Sequence, residues 1–416
     1  MTEKRPTLRG RIRAVRGETS RKMGRYDQAL AHLNRAIELN PEDASAIGSR
    51  GRTYWAMDRY VEALADLNRA IELNPEDVSA LASRGYTYWD MERYGEALAD
   101  FNRAIELDPE DAWVLAYRGE TYRLVERYDE ALADFSRVIE LNPEYAWAIA
   151  SRGQTFQNME RYEEALADFS RAIVIDPDLD WAIADRGETF REMGLYEEAL
   201  ADLDRAIELD PEDAASAFAD RGETFRLMER YEEALADFSR AIVIDPDLDW
   251  AIADRGETFR EMGLYEEALA DFDRAIELDP ENAWAIASRG QTLQNMERYE
   301  EALADFNRAF ELNPDLDWAI ADRGETFRAM GRYEEALADF NRAIELDPED
   351  AWALAGRGET YWAMGRYDQA LADYDRAIEL DPAEDEFAAA RTAICLLTGR
   401  SDTDHAVPDN RGTKAT

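Results

Sequence analysis

One spacing recurs along nearly the whole chain and leaves little freedom in how it can fold. Gly-x-Thr-aromatic is followed nine residues later by Ala-Leu-Ala, then by Asp/Asn-Pro, and the set repeats every 34 residues. The glycine steps from Gly17 to Gly358 and the proline from Pro41 to Pro382. A fixed period of this length means a stack of supersecondary units, each touching only its neighbours, and not a core that grows with chain length. The 416 residues would otherwise suggest two or three domains.

Residues 249–282 serve as the type copy. Ile252, Gly256 and Phe259 form one helical stripe, and Ala268, Leu269, Phe272, Ala275 and Ile276 form a second. Met262-Gly263-Leu264-Tyr265 interrupts them, so each unit reads helix A, turn, helix B. Asp279-Pro280-Glu281 reads as the start of the next A helix, with Asp as N-cap and Pro at the first helical position. Gly256, Ala268 and Ala275 let backbones approach closely, while Phe259, Tyr265 and Phe272 fill the space between helices. Truncating such an aromatic costs about 3–5 kcal/mol.

This pattern resembles the tetratricopeptide repeat. That family has a small residue at position 8, aromatics at 11 and 24, alanines at 20 and 27, and proline at 32. Eleven copies fit between residues 10 and 384. The family's Trp at position 4 is here mostly Ile or Leu, and its Leu at position 7 is Arg in every copy. Ser20 and Val138 are single departures. The resemblance implies an all-α, right-handed superhelical solenoid. Residues 1–9 are a basic lead-in, 385–400 a C-terminal capping helix with Cys395 in its apolar stretch, and 401–416 a disordered tail. Residues 159–202 and 228–271 are identical, and one extra residue falls within 211–222, where an irregularity between repeats is expected.

The chain carries 92 acidic and 48 basic residues, a net charge of −44. That balance argues against nucleic acid and anionic membranes as partners, since both need basic surfaces. No apolar run reaches the ~18 residues of a membrane span, and the first residues lack a signal peptide's apolar stretch. One cysteine allows no intramolecular disulfide, so a cytoplasmic location is expected. His32 and His405 are too few for a histidine-based metal site or triad, and no phosphate-binding glycine loop appears. No carboxylate stands out as placed to have a raised pKa. No enzyme activity, cofactor or metal is expected.

In the family it resembles, positions 2, 5, 9 and 12 of the A helices line a concave groove. Here position 2 is Trp113, Trp147, Trp181, Trp250, Trp284, Trp318 and Trp352, and position 5 is mostly Ala, as at Ala116 and Ala253. Position 9 is often Glu (Glu188, Glu257, Glu325), and position 12 is Arg123, Arg191, Arg226, Arg260 or Arg328, with Trp55, Trp89 and Trp362 towards the ends. The tryptophans either anchor a partner segment or fill space between adjacent A helices. Seven half-open indoles would exceed the ~300–600 Å² apolar patch of an ordinary monomer, which favours a partner. The position-7 arginines either pair with an Asp early in helix B (Asp66, Asp100, Asp134, Asp271) or are simply solvated. The expected function is a scaffold that binds a protein or peptide of basic character. The alternatives are a self-associating solenoid, dimeric or filamentous, and a regulatory adaptor for a separate effector.

Overall fold

The computed structural model describes residues 8–399, and every regular element among them is an α-helix. Residues 1–7 of the basic lead-in and the tail 401–416 lie outside the described residues; Leu8 and Arg9 already belong to the first helix. The chain divides into two compact units, 1–211 and 212–416.

The first unit opens with the hairpins α1 (Leu8–Lys22) with α2 (Tyr26–Leu39), α3 (Ala44–Trp55) with α4 (Tyr60–Leu73), and α5 (Val78–Asp90) with α6 (Tyr94–Leu107). It continues through α7 (Ala112–Leu124) with α8 (Tyr128–Leu141), α9 (Ala146–Asn158) with α10 (Tyr162–Ile175), and α11 (Asp180–Glu192) with α12 (Tyr196–Leu209). The second unit holds α13 (Ala215–Leu227) with α14 (Tyr231–Ile244), α15 (Asp249–Glu261) with α16 (Tyr265–Leu278), and α17 (Ala283–Asn295) with α18 (Tyr299–Leu312). Then come α19 (Asp317–Ala329) with α20 (Tyr333–Leu346), α21 (Ala351–Ala363) with α22 (Tyr367–Leu380), and α23 (Asp385–Thr398).

Within each unit an A helix packs on its own B helix, on the preceding B helix and on the neighbouring A helices. Position 8 shows why a small residue is needed. A Cβ on Gly85 would fall 2.5 Å from the Phe101 ring, and one on Gly256 3.2 Å from the Asp271 Cβ. The position-24 aromatics Phe101, Phe135 and Phe272 are fully buried. Each A–B turn needs a left-handed residue. Gly194 and Gly263 supply it in some repeats, and Glu126 (φ 59°) and Glu297 (φ 60°) in others.

Of the two alternatives, the position-7 arginines from Arg50 to Arg357 take pairing and form a ladder. Arg118 Nε and Nη2 donate to Asp134 Oδ2 and Oδ1 at 2.7 and 2.6 Å, and Arg255 grips Asp271 in the same bidentate way at 2.7 Å. A third nitrogen reaches the preceding B helix, as from Arg118 Nη1 to Asn102 Oδ1 (2.8 Å) and from Arg357 Nη1 to Asn341 Oδ1 (2.8 Å). One guanidinium therefore ties three helices, and its planar fork suits that task better than an ammonium could.

The Asp-Pro segments do not begin the A helices. Asp279 closes α16, its N–H bonding back to Ala275, and its Oδ1 accepts from Glu281 N–H (3.0 Å). Proline follows because it cannot continue a helix. The N-cap comes three residues later: Asn282 Oδ1 accepts from Ala285 N–H (2.9 Å), as Asp350 does from Ala353 N–H. The extra residue lies beside the boundary between the two units. There α13 starts after Ala214, which makes no side-chain cap bond. In α23, Phe387, Ile394 and Cys395 are buried against α21 and α22, so the cysteine behaves as a small hydrophobe. No described helix is long and apolar enough to cross a membrane.

Candidate partner-binding face

Position 5 forms the floor of the A-helix face, with Ala116, Ala150 and Ala253 fully buried. Above it, two links between successive A helices recur. In the first, position 9 of one helix meets position 6 of the next. Tyr86 and Tyr117 do this with ring centroids 4.5 Å apart. Gln154 Nε2 donates to Asp185 Oδ2 (2.7 Å), and Gln291 Nε2 to Asp322 Oδ2 (2.9 Å), at the same relative positions. In the second link, position 12 meets position 13 of the next helix. Trp55 Nε1 donates to Asp90 Oδ2 (2.5 Å), and Arg226 Nη1 to Glu261 Oε1 (2.5 Å).

The aspartates at position 6 correct the expectation that no carboxylate is perturbed. Burial is the main cause that pushes Asp185 up to about 7; the charge of Glu188 adds to it, and Gln154 and Arg123 oppose it. Burial likewise raises Asp322 to about 7, against Arg260 and the Gln291 hydrogen bond. Variation at positions 6 and 9 within an otherwise strict repeat was the signal for these residues. Tyr86 and Tyr117 could have been found in the same way.

The seven position-2 tryptophans do not share one environment. Trp113 and Trp352 are 61% and 59% exposed. Trp147, Trp181, Trp250, Trp284 and Trp318 are half-buried. Trp147 lies against Phe135 and Tyr117, and Trp284 against Phe272, with Trp250 and Trp318 on the equivalent clusters. The inner indoles therefore bridge adjacent repeats, because position 2 sits over the position-24 aromatic of the repeat before. At position 12, Trp89 packs edge-on to Tyr117, and Trp362 packs on the last core cluster.

The charged residues of this face are already in ion pairs. Arg123 Nη2 lies 2.5 Å from Glu120, Arg226 Nε 2.7 Å from Glu223, and Arg260 and Arg328 pair with Glu257 and Glu325 one helical turn back. Arg328 also reaches Glu359 of the next repeat (3.0 Å). Arg191 lies 3.1 Å from Glu192 and 3.6 Å from Glu188. These pairs neutralise each other locally, so what the face offers outward is above all its exposed tryptophans.

Tetratricopeptide repeat profiles match residues 112–145, 146–179, 283–316 and 351–383. A second profile of that repeat matches 16–78, 49–112 and 184–249, and a TPR repeat profile matches 256–297 and 324–365. No curated protein sequence matches the chain. Among solved structures, the crystal structure of the APC/C hetero-tetramer Cut9–Hcn1 aligns with a TM-score of 0.56 at 12% identity, covering 93% of this chain and 96% of that one. The yeast Tom70 crystal structure aligns at 16% identity over 94% and 97%, with a TM-score of 0.47. At such identity the likeness to Cut9–Hcn1 concerns the fold alone. The repeat hairpins and the profile matches over most of the length agree: the chain is an all-α solenoid that belongs to the tetratricopeptide repeat family.

Proposed function

We propose that the protein is a non-enzymatic scaffold that holds a basic segment of a partner protein on its A-helix face. The observation that carries this reading is that one tryptophan in each unit, Trp113 in the first and Trp352 in the second, is left more than half open while their five counterparts are packed. An exposed indole presents a large, rigid apolar surface, and partner-binding hot spots are enriched in tryptophan. The net charge of −44 selects for cationic segments and speeds their approach. Membership of a repeat family that works through extended surfaces supports it as well. A cytoplasmic scaffold with one free, buried thiol fits the same picture.

The test uses a fluorescein-labelled twelve-residue peptide of alternating Arg and Ser, with a Glu/Ser peptide as control, read by anisotropy. Trp113→Ala should weaken binding of the basic peptide by about 1–2 kcal/mol, with little change in melting temperature. Binding should weaken as salt rises. Equal affinity for both peptides, or no effect of the Trp113 change, rejects the reading. Sedimentation of the free protein tests the rival: concentration-dependent assembly that Trp113→Ala abolishes would favour self-association over a distinct partner.

A further inference from the structure

The 9-to-6 link between successive A helices is left open near the C-terminal end. Position 9 there is Glu325 and then Glu359, but the facing position-6 residues are Gly356 and Ala390, which have no polar side chain. A cavity of 320 Å³ lies at this point, lined by Asp322, Glu325, Glu359 and Glu386, by Trp352 and Phe387, and by Tyr374 at its base. Gly356 is required on its lining, because a Cβ there would come within 2.6 Å of the Phe340 ring.

Tyr374 is the unexplained group. Position 24 carries Phe in seven repeats and Leu in three, so packing does not require a hydroxyl. Tyr374 is 1% exposed, yet its Oη has no hydrogen-bond partner among the described residues. A buried hydroxyl left unsatisfied is destabilising and calls for an explanation. Here the explanation lies in what the cavity would accept. Three glutamates, Glu325, Glu359 and Glu386, face one guanidinium, Arg328, which is already held by the first two, while the Asp322 carboxyl beside them accepts from Gln291. Trp352 and Phe387 stand 5.0 Å apart and form an aromatic wall.

We propose that this cavity is a recognition pocket for a single arginine side chain of the bound segment. The proposal rests on the scaffold reading above and names one anchor within it. A guanidinium suits the site on three counts. Its flat face can stack on the exposed Trp352 indole, its five N–H groups can meet several carboxylates at once, and one of them can be accepted by Tyr374 Oη. The volume is at the small end of ligand pockets, enough for one long side chain and not for a peptide.

The probes are N-acetyl-arginine methylamide, its citrulline isostere, which is neutral, and its lysine counterpart, titrated into the full chain by ligand-observed NMR. The arginine probe should bind, the lysine probe more weakly, and the citrulline probe least. Tyr374→Phe installs the residue most repeats already carry, so the fold should persist with an equal or higher melting temperature. Its affinity for the arginine probe should drop at least about fivefold. Glu386→Gln, on the solvent side of the pocket, should also weaken it. Citrulline binding as tightly as arginine, or unchanged affinity in both variants, overturns the proposal. If the Arg/Ser peptide binds in a Trp113-dependent way while the arginine probe does not bind, the pocket fails and the scaffold reading stands. If neither binds, both fail.

Discussion

The A-helix faces of α5–α9 in the first unit and α13–α21 in the second are built on the same backbone but in different chemistry. In the first, Tyr86 packs at a tilt against Tyr117, Tyr117 meets Trp147, and Trp147 meets Tyr145, which touches Trp113. In the second, corresponding places are held by hydrogen bonds and ion pairs, such as Gln291 to Asp322 and Arg226 to Glu261. Trp55–Asp90 and Arg226–Glu261 are the same link, each 35 residues apart and 2.5 Å long, made by an indole in one case and a guanidinium in the other. Stacking depends on the ladder, the glycine at position 8 and the position-24 ring. Positions 6, 9, 12 and 13 only have to match their immediate neighbours, so surface chemistry can change along the array while the fold stays the same.

If stacking is independent of that chemistry, the ladder should matter equally in both regions. Arg118→Ala and Arg255→Ala each leave a buried aspartate, Asp134 or Asp271, without its fork, and each should cost about 3 kcal/mol in denaturant unfolding. Costs differing by more than about 1 kcal/mol would break the comparison. The faces themselves should behave unequally. Tyr86→Ala removes ring contacts with Trp55, Phe101 and Tyr117 and should cost about 2–3 kcal/mol. Replacing Glu257 and Arg260 together by Gln and Met should stay within about 1 kcal/mol, because neither charge is left alone.

The raised aspartates, one in each unit, test through pH a link that both units share. A carboxyl whose folded pKa is about 7, against 3.8 unfolded, favours the folded state in full below about pH 4, and that contribution is lost as pH rises towards 7. Asp185→Asn and Asp322→Asn should therefore be near neutral at pH 4 and more stable than the parent at pH 8. A variant whose advantage is the same at both pH values would show that the carboxyl is not held in its neutral form. Smallest of all, Glu126→Gly and Glu297→Gly relieve a left-handed turn in each region, and each should stabilise by about 0.5–1 kcal/mol.

Much of this was legible in the residues. The period gave the hairpins, and Arg and Asp sixteen residues apart in every repeat but the first, where His32 replaces the Asp, pointed to a ladder, as at Arg118 and Asp134. The caps were misplaced by three residues because Asp-Pro both closes one helix and resembles the opening of the next. The tryptophans looked alike in one dimension, and only packing distinguishes Trp113 from Trp147. Asp185 was not legible in this way because Gln154 and Arg123, which face it, belong to earlier A helices and not to its own repeat.

The duplicated segment shows where that boundary falls. Residues 159–202 and 228–271 are identical, and both fold into the same helices and the same bidentate arginine pairs, Arg186–Asp202 and Arg255–Asp271. Their surface partners differ. Glu261 receives Arg226 from the preceding A helix, whereas its twin Glu192 has Gln157 at that place and lies 3.1 Å from Arg191 of its own helix. Backbone periodicity, small residues at close approaches and pairings internal to a repeat are local in sequence, so the sequence alone determined them. Exposure of an indole, the proton affinity of a carboxyl and the opening beside Tyr374 depend on which side chain the neighbouring repeat presents across a few ångströms, and only the tertiary structure decided those.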